Sequence, residues 1–292
     1  MKILLPVDGS EPSLHAARLV AAYRGDARRL APVLLNVQPP PLTVWPNAGV
    51  DRVSLEEALF AEGAKCLEPA RSILRQAGFE PECHVRLGHA AETIVDATRE
   101  WQTDAVVMGT RGHGPLGGFA LGSVALRVAP SARCPVALVK PDTRLPESLG
   151  RRLRVVVPLD GSQAATQAAL RVVQCAGPLG VEQVDLVHFQ PTLTFLEAVM
   201  PPHGDVLQHW SGREAEDAVA SARQALADAG IAHQVHKLSG EPAAGIAQFA
   251  LERGADLIAM ATRGIGTIRH LLVGSVALKT AHLSHVPVAF MR

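Results

Sequence analysis

Residues 108–126 read MGTRGHGPLGGFALGSVAL, and residues 260–278 read MATRGIGTIRHLLVGSVAL. The first stretch has the pattern G-x2-G-x9-G-S from Gly109 to Ser123, and the second repeats it 152 residues later with Ala261 at the first glycine position. A glycine loop that leads into a helix turns backbone N–H groups toward one point, as phosphate sites require. The duplication predicts two copies of one fold.

The same offset joins markers along the whole chain, so the repeat spans both halves. The matched pairs include Pro6 and Pro158, Asp8 and Asp160, Ser10 and Ser162, Gly78 and Gly230, His84 and His236, and Asp104 and Asp256. A chain of 292 residues is also a natural length for two domains. We therefore expect a first domain at 1–141, a linker at 142–152 that contains Pro146 and Gly150, and a second domain at 153–292.

The composition indicates a soluble globular protein without a global attraction to polyanions. Lys+Arg and Asp+Glu are equal at 28 each, which gives no pull toward nucleic acid or anionic membranes. No apolar stretch approaches the roughly 18 residues of a membrane span. The four cysteines are scattered and form no C-x-x-C pair, which favours reduced thiols. We expect a cytoplasmic protein with neither a nucleic acid nor a membrane as partner.

Segments typical of strands and of helices alternate within each half. In the first half we expect strands at 2–7, 32–38, 81–86, 104–109 and 135–139, and helices at 10–24, 53–77, 89–101 and from about 123. Pro69 should interrupt or kink the second of these helices. Near-continuous apolar strands that alternate with helices predict an α/β fold whose parallel sheet is covered on both faces.

Asp8 follows the first predicted strand, in the stretch LLPVDGS. Ligands of open α/β sheets bind outside the carboxyl ends of the strands, where the strand order reverses. If strands one and four are neighbours, Asp8 and the glycine loop face one crevice, and the carboxylate can accept a hydrogen bond from a base or a ribose. Helix capping together with Gly9 and Ser10 is the alternative, and it also explains Asp160.

The glycine loop carries two further candidate groups. Ser123 can donate its hydroxyl to an anion or cap the helix that follows. Arg111, repeated as Arg263, can neutralise phosphate charge or form a surface ion pair. A flexible loop before a capped helix therefore stands as the alternative to a phosphate site.

Other cofactor and catalytic patterns do not fit this chain. The G-x-G-x-x-G match at 112–117 follows the fourth predicted strand and contains a proline, which argues against a nicotinamide cofactor. A P-loop would need G-K-[ST], which is missing. His282 and His285 have helical spacing but no further ligands, so we expect no metal site. No nucleophile with a base stands out, which favours binding over catalysis.

The V-D-G-S stretch after the first strand, with the G-x2-G-x9-G-[ST] pattern after the fourth, resembles the universal stress protein family in its tandem two-domain form. The resemblance covers essentially both halves. It implies in each domain a five-stranded parallel sheet of order 3-2-1-4-5 with helices on both faces, and binding of ATP, alone or with Mg²⁺. It also implies pairing through the last strands, CPVALV and VPVAFM, as an intrachain pseudo-dimer or as a homodimer of the whole chain.

The resemblance also assigns residues to the nucleotide. In the first half these are Pro6, Asp8, Val37, Met108, Gly109, Gly112, Gly122, Ser123 and Val124, which Arg111 joins by its place in the loop. In the second half the matching residues are Pro158, Asp160, Phe189, Met260, Gly264, Gly274, Ser275 and Val276. There Ala261 replaces the first glycine and Phe189 replaces Val37. Because an added Cβ at a close backbone approach excludes a phosphate or ribose, we expect ATP in the first half rather than the second.

Three functions follow as hypotheses. The first is an ATP-binding regulator or sensor of the stress response, which the intact glycine pattern and Asp8 favour. The second is a nucleotide-free interaction or dimerisation scaffold, which Ala261 favours for the second half. The third is a slow ATPase, for which the sequence presents no base.

Overall fold

The computed structural model describes residues 1–23, 29–40, 52–110, 121–145, 153–190, 212–262 and 273–291. The chain divides into two compact units, Met1–Arg151 and Arg152–Arg292. Each unit has a parallel sheet whose strands alternate with helices, so the expected α/β class with two tandem domains is confirmed.

The first unit has nine elements in its described residues. In chain order they are β1 (Lys2–Pro6), α1 (Glu11–Ala22), β2 (Ala31–Gln38), α2 (Arg52–Gln76), β3 (Glu82–Leu87), α3 (Ala90–Glu100), β4 (Ala105–Gly109), α4 (Ser123–Val128) and β5 (Val136–Val139). The expected bounds agree with these to within about two residues, which is the usual uncertainty of element ends.

The second unit repeats the same series of elements. In chain order they are β6 (Leu153–Leu159), α5 (Gln163–Leu179), β7 (Val181–Gln190), α6 (Gly212–Asp228), β8 (Ala232–Ser239), α7 (Pro242–Glu252), β9 (Leu257–Ala261), α8 (Ser275–Leu283) and β10 (Val288–Met291). The duplication seen in the sequence is therefore a duplication of structure.

The strand order places β1 at the centre of its sheet. The order is β3-β2-β1-β4-β5 in the first unit and β8-β7-β6-β9-β10 in the second, which confirms the expected 3-2-1-4-5 arrangement. Leu4 on β1 lies opposite Val33 on β2 and Val106 on β4, and both pairings are parallel. The strand order reverses between β1 and β4, so their carboxyl ends border the crevice at which open α/β sheets bind ligands.

The core is almost entirely aliphatic, as the low aromatic content requires. The largest fully buried side chains include Phe290, Leu4, Leu5, Leu34, Leu35, Leu74, Leu186, Leu226 and Ile258. Each buried side chain of this size contributes about 1.5–3 kcal/mol to the free energy of unfolding. These side chains hold the strands in register and keep the carboxyl edge of each sheet in place.

Helix α2 is continuous through Pro69, so of the two expected effects, a kink or an interruption, the interruption is wrong. Proline removes one backbone hydrogen bond within a helix, but packing on both sides of it compensates. Leu67 is 3% exposed, and Ala70 and Leu74 are completely buried against the sheet.

Among the helices of the described ranges, none combines the length and the apolar character that crossing a bilayer requires.

Candidate functional site

Asp8 and the start of the glycine loop lie at the same edge of the first sheet. Asp8 follows β1 and is exposed, while Gly109 ends the neighbouring strand β4. The carbonyl of Thr110 accepts a hydrogen bond from the Gly122 N–H at 2.6 Å, which closes the loop at its base. Helix α4 then begins at Ser123, whose side chain is exposed. The structure therefore brings Asp8, Gly122 and Ser123 to one edge of the sheet, as expected.

The Asp8 carboxylate is oriented by Ser10. Its Oδ1 accepts hydrogen bonds from the Ser10 N–H at 3.0 Å and from the Ser10 hydroxyl at 2.5 Å. Ser10 occupies the N-cap position of α1, but its side chain makes no capping bond to that helix. Because the Ser10 hydroxyl donates to Asp8 instead, helix capping does not account for Asp8 and Ser10.

The equivalent pair in the second half is arranged differently. Asp160 Oδ1 accepts a hydrogen bond from the Ser162 N–H at 3.0 Å, as Asp8 does from Ser10. The Ser162 hydroxyl, however, accepts from the Ala165 N–H at 3.1 Å and so caps helix α5. The capping interpretation therefore holds for the serine of the second half only. One D-G-S sequence thus supports two hydrogen-bond patterns.

The base of the loop closes alike in both halves. Gly274 N–H donates to the Thr262 carbonyl at 2.7 Å, as Gly122 does to Thr110. Gly122 has φ −63° and ψ 149°, and Gly274 has φ −66° and ψ 152°. Ser275 is exposed as the first residue of α8. The base of the second loop therefore has the same hydrogen bond and nearly the same backbone angles as the first, although Ala261 stands in place of the first glycine.

Gly109 is a glycine because a helix lies against it. A Cβ at this position would come within 2.7 Å of the Pro12 carbonyl carbon, 2.8 Å of the Pro12 oxygen and 2.9 Å of the Ser13 nitrogen. All three are backbone atoms of the first turn of α1, and they cannot move aside as a flexible side chain can. The sequence interpretation explained this glycine by the approach of a ligand, whereas the structure explains it by the approach of α1.

The remaining candidates of the first half differ in exposure. Met108 is 5% exposed on β4, while Pro6, Val37 and Val124 are half-buried at the ends of β1 and β2 and at the start of α4. Val37 pairs with Arg86 of β3. In the second half Val276 is exposed at the start of α8. Three predicted site residues, Arg111, Gly112 and Gly264, lie outside the described residues.

Phe189, which replaces Val37, packs on a glycine of α7. A Cβ at Gly245 would lie 2.3 Å from Phe189 Cε1 and 2.4 Å from Cζ, so the ring edge occupies the space of the missing side chain. The first half has Thr93 at the position equivalent to Gly245. The larger residue on the strand is therefore matched by a smaller one on the facing helix.

Cys66 lies beside the Asp8 turn, which sequence reasoning missed. A Cβ at Gly9 would be 3.6 Å from Cys66 Sγ. Burial raises the pKa of the Cys66 thiol above its usual value, and the negative charges of Glu62 and Asp8 raise this pKa further. The thiol is therefore protonated at neutral pH. Nothing in the sequence points to this contact, because α2 brings Cys66 to the site from a distant part of the chain.

Metal ligation finds no support in the part of the chain that the structure describes. Those residues contain no group of three or more His, Cys, Asp or Glu side chains placed to hold an ion. His282 lies in the last turn of α8, and His285 follows that helix.

Comparisons with known proteins identify relatives for both halves. The sequence model of the universal stress protein family matches residues 1–140 and again residues 152–292. A universal stress protein of Mycolicibacterium smegmatis is 27% identical over 297 residues, which cover 99% of this chain and 96% of that protein. Universal stress protein MJ0531 of Methanocaldococcus jannaschii is 34% identical over 141 residues, which cover 48% of this chain and 81% of that protein.

A solved structure shares the fold over the full length. The crystal structure of a universal stress protein from Archaeoglobus fulgidus matches with a TM-score of 0.67 at 22% sequence identity. The match covers 100% of this chain and 96% of that chain. At this identity the likeness shows the fold.

Proposed function

Because the chain belongs to the universal stress protein family, and because its first half brings Asp8 and the bonded pair Thr110 and Gly122 to one sheet edge, we propose that this half binds ATP. The protein then acts as a nucleotide-dependent regulator or sensor of the stress response. The observation that carries the proposal is the exposed Asp8 carboxylate, which Ser10 orients at the carboxyl end of the central strand.

Each candidate residue of the first half has a role in the proposed site. Asp8 accepts a hydrogen bond from the ribose or the base, and Val37 gives apolar contact to the adenosine. Ser123 and the backbone N–H groups of the loop donate to the phosphates, whose charge Arg111 and a Mg²⁺ ion reduce. Every one of these roles is binding rather than proton transfer, which favours a sensor over an ATPase.

Removal of the Asp8 carboxylate tests the proposal. Titration calorimetry of the purified full chain with ATP should show binding, and Asp8→Ala should weaken it about tenfold through loss of a charge-assisted hydrogen bond. Asp160→Ala removes the equivalent carboxylate of the second half and should leave the affinity of the first half unchanged. Folded wild-type protein that gives no heat of binding and carries no extractable nucleotide would contradict the proposal.

The two serines should respond differently to the same substitution. Ser10→Ala removes the hydroxyl that orients Asp8, so we expect ATP affinity to fall several-fold. Ser162→Ala removes a helix cap and should lower the free energy of unfolding by about 1 kcal/mol without a change in first-half ATP affinity. Urea denaturation and calorimetry of both variants check this. Equal effects of the two variants on ATP affinity would contradict the role of Ser10.

Several features that accompany the proposal stay predictions. They are the domain bounds 1–141 and 153–292 with the linker 142–152, the pairing of the halves or of whole chains through the last strands, and the cytoplasmic location. Thr143, which falls within the predicted linker, is 4% exposed, and its carbonyl accepts a hydrogen bond from His15 Nε2 at 2.8 Å. Packing of the first unit therefore continues to Thr143.

A further inference from the structure

A buried hydroxyl without a partner lies at the base of the glycine loop. Thr110 directly follows β4 and is 2% exposed. Its backbone is satisfied, because its N–H donates to the Val139 carbonyl at 3.0 Å and its own carbonyl accepts from Gly122. Its Oγ1, in contrast, is buried and has no hydrogen-bond partner among the residues that the structure describes. Buried hydroxyls are nearly always bonded, and one that is not lowers the stability of the folded state.

Packing alone does not explain a threonine at this position. Valine has nearly the same shape, carries no polar group, and occupies buried strand positions nearby at Val106 and Val139. The second half also has a threonine here, Thr262, which is 8% exposed and whose carbonyl accepts from Gly274. Both copies therefore keep a hydroxyl at the point where the chain leaves the sheet for the loop.

We propose that the Thr110 hydroxyl donates a hydrogen bond to a phosphate oxygen of the nucleotide bound in the first half. The proposal rests on the proposed function, since that function supplies the phosphate. The Thr110 carbonyl accepts from the Gly122 N–H, and Ser123 follows Gly122, so Thr110 is next to residues of the proposed phosphate site. A charged oxygen accepts strongly from a hydroxyl, and the unbonded Oγ1 breaks no bond within the protein when it donates.

Titration of Thr110→Val with ATP and, separately, with adenosine tests the proposal. We expect the variant to bind ATP about tenfold more weakly than wild type and adenosine within about twofold, because adenosine lacks phosphate. Without nucleotide, the variant should unfold at the same temperature as wild type or higher, since the unpaired hydroxyl is gone.

Thr280→Val is the matched control. Thr280 in α8 is completely buried, and within the described ranges its Oγ1 likewise has no hydrogen-bond partner. The equivalent residue of the first half is Val128, which is also completely buried, so the valine fits this fold. Thr280→Val should raise the unfolding temperature and leave ATP affinity unchanged, which separates relief of an unpaired hydroxyl from loss of a ligand contact.

Two results would overturn the role of Thr110 and leave ATP binding in place. One is equal ATP affinity of wild type and Thr110→Val, and the other is an equal loss of affinity for ATP and adenosine. If Thr110→Val does not fold, Thr110→Ser and Thr110→Ala replace it, and equal ATP affinities of these two would count against the proposal. If wild-type protein binds neither ATP nor adenosine, the proposed function and this inference are overturned together. Titration of the wild-type protein reveals that outcome.

Discussion

Gly109→Val should destabilise the first half by roughly 3 kcal/mol or more, and Gly109→Ala by about 1–3 kcal/mol. Any Cβ here would lie within 2.7–2.9 Å of backbone atoms of Pro12 and Ser13. Relief of that overlap requires a shift of α1 away from β4. Since α1 covers the core that contains Leu5 and Leu34, the shift would loosen packing well beyond the substituted residue.

Urea denaturation monitored by circular dichroism measures the effect, with Ala261→Gly as the matched control. The control removes a Cβ from the equivalent strand position and should cost only about 0.5–1 kcal/mol, the ordinary loss for glycine in a strand. A Gly109→Ala variant that is as stable as wild type but has reduced ATP affinity would contradict this explanation. It would show that the ligand, rather than α1, requires glycine at this position.

Gly245→Thr and Phe189→Val should each destabilise the second half by about 2–3 kcal/mol, while the double variant should lose much less than the sum. The threonine alone overlaps the Phe189 ring edge, whose atoms would lie 2.3–2.4 Å from the new Cβ. The valine alone leaves a cavity where the ring was. Together the two changes reproduce the residues of the first half, Val37 and Thr93.

A double-mutant cycle measured by urea denaturation checks the coupling. We expect a favourable coupling free energy of at least about 1 kcal/mol, as is typical of residues in direct contact. A glycine in a helix interior lowers helix stability by about 1 kcal/mol relative to alanine. The contact with the Phe189 ring explains why α7 nevertheless has glycine at position 245. Additive effects of the two substitutions would show that the ring and the helix are independent.

These contacts change the expected difference between the two halves. From the sequence, we expected Ala261 and Phe189 to disfavour nucleotide binding in the second half. In the structure the close approach of α1 requires glycine at position 109, and the edge of the Phe189 ring lies against α7. Among the described residues at this edge, the two halves also differ in the hydroxyl of residue 10 or 162, which orients Asp8 in one half and caps α5 in the other.

The sequence was sufficient for the elements, their order and the sheet edge at which the candidate site residues lie. Alternating periodicity located the strands, and the constant offset showed the duplication. Asp8 and Gly122 could be placed together because parallel strands end at a common edge of the sheet. The roles of Gly109, Cys66 and Thr110 could not be predicted, since each depends on atoms contributed by a distant segment or on a missing partner.

The sequence by itself determined a duplicated α/β fold and the sheet edge at which its candidate site residues lie, because hydrophobic period and strand direction are local properties of the chain. Only the tertiary structure decided what individual residues do at that edge. It separated Ser10 from Ser162, which share the tripeptide D-G-S, and it matched Phe189 with Gly245. Hydrogen bonds and steric overlap depend on distances of a few tenths of an ångström between segments, and local sequence does not determine those distances.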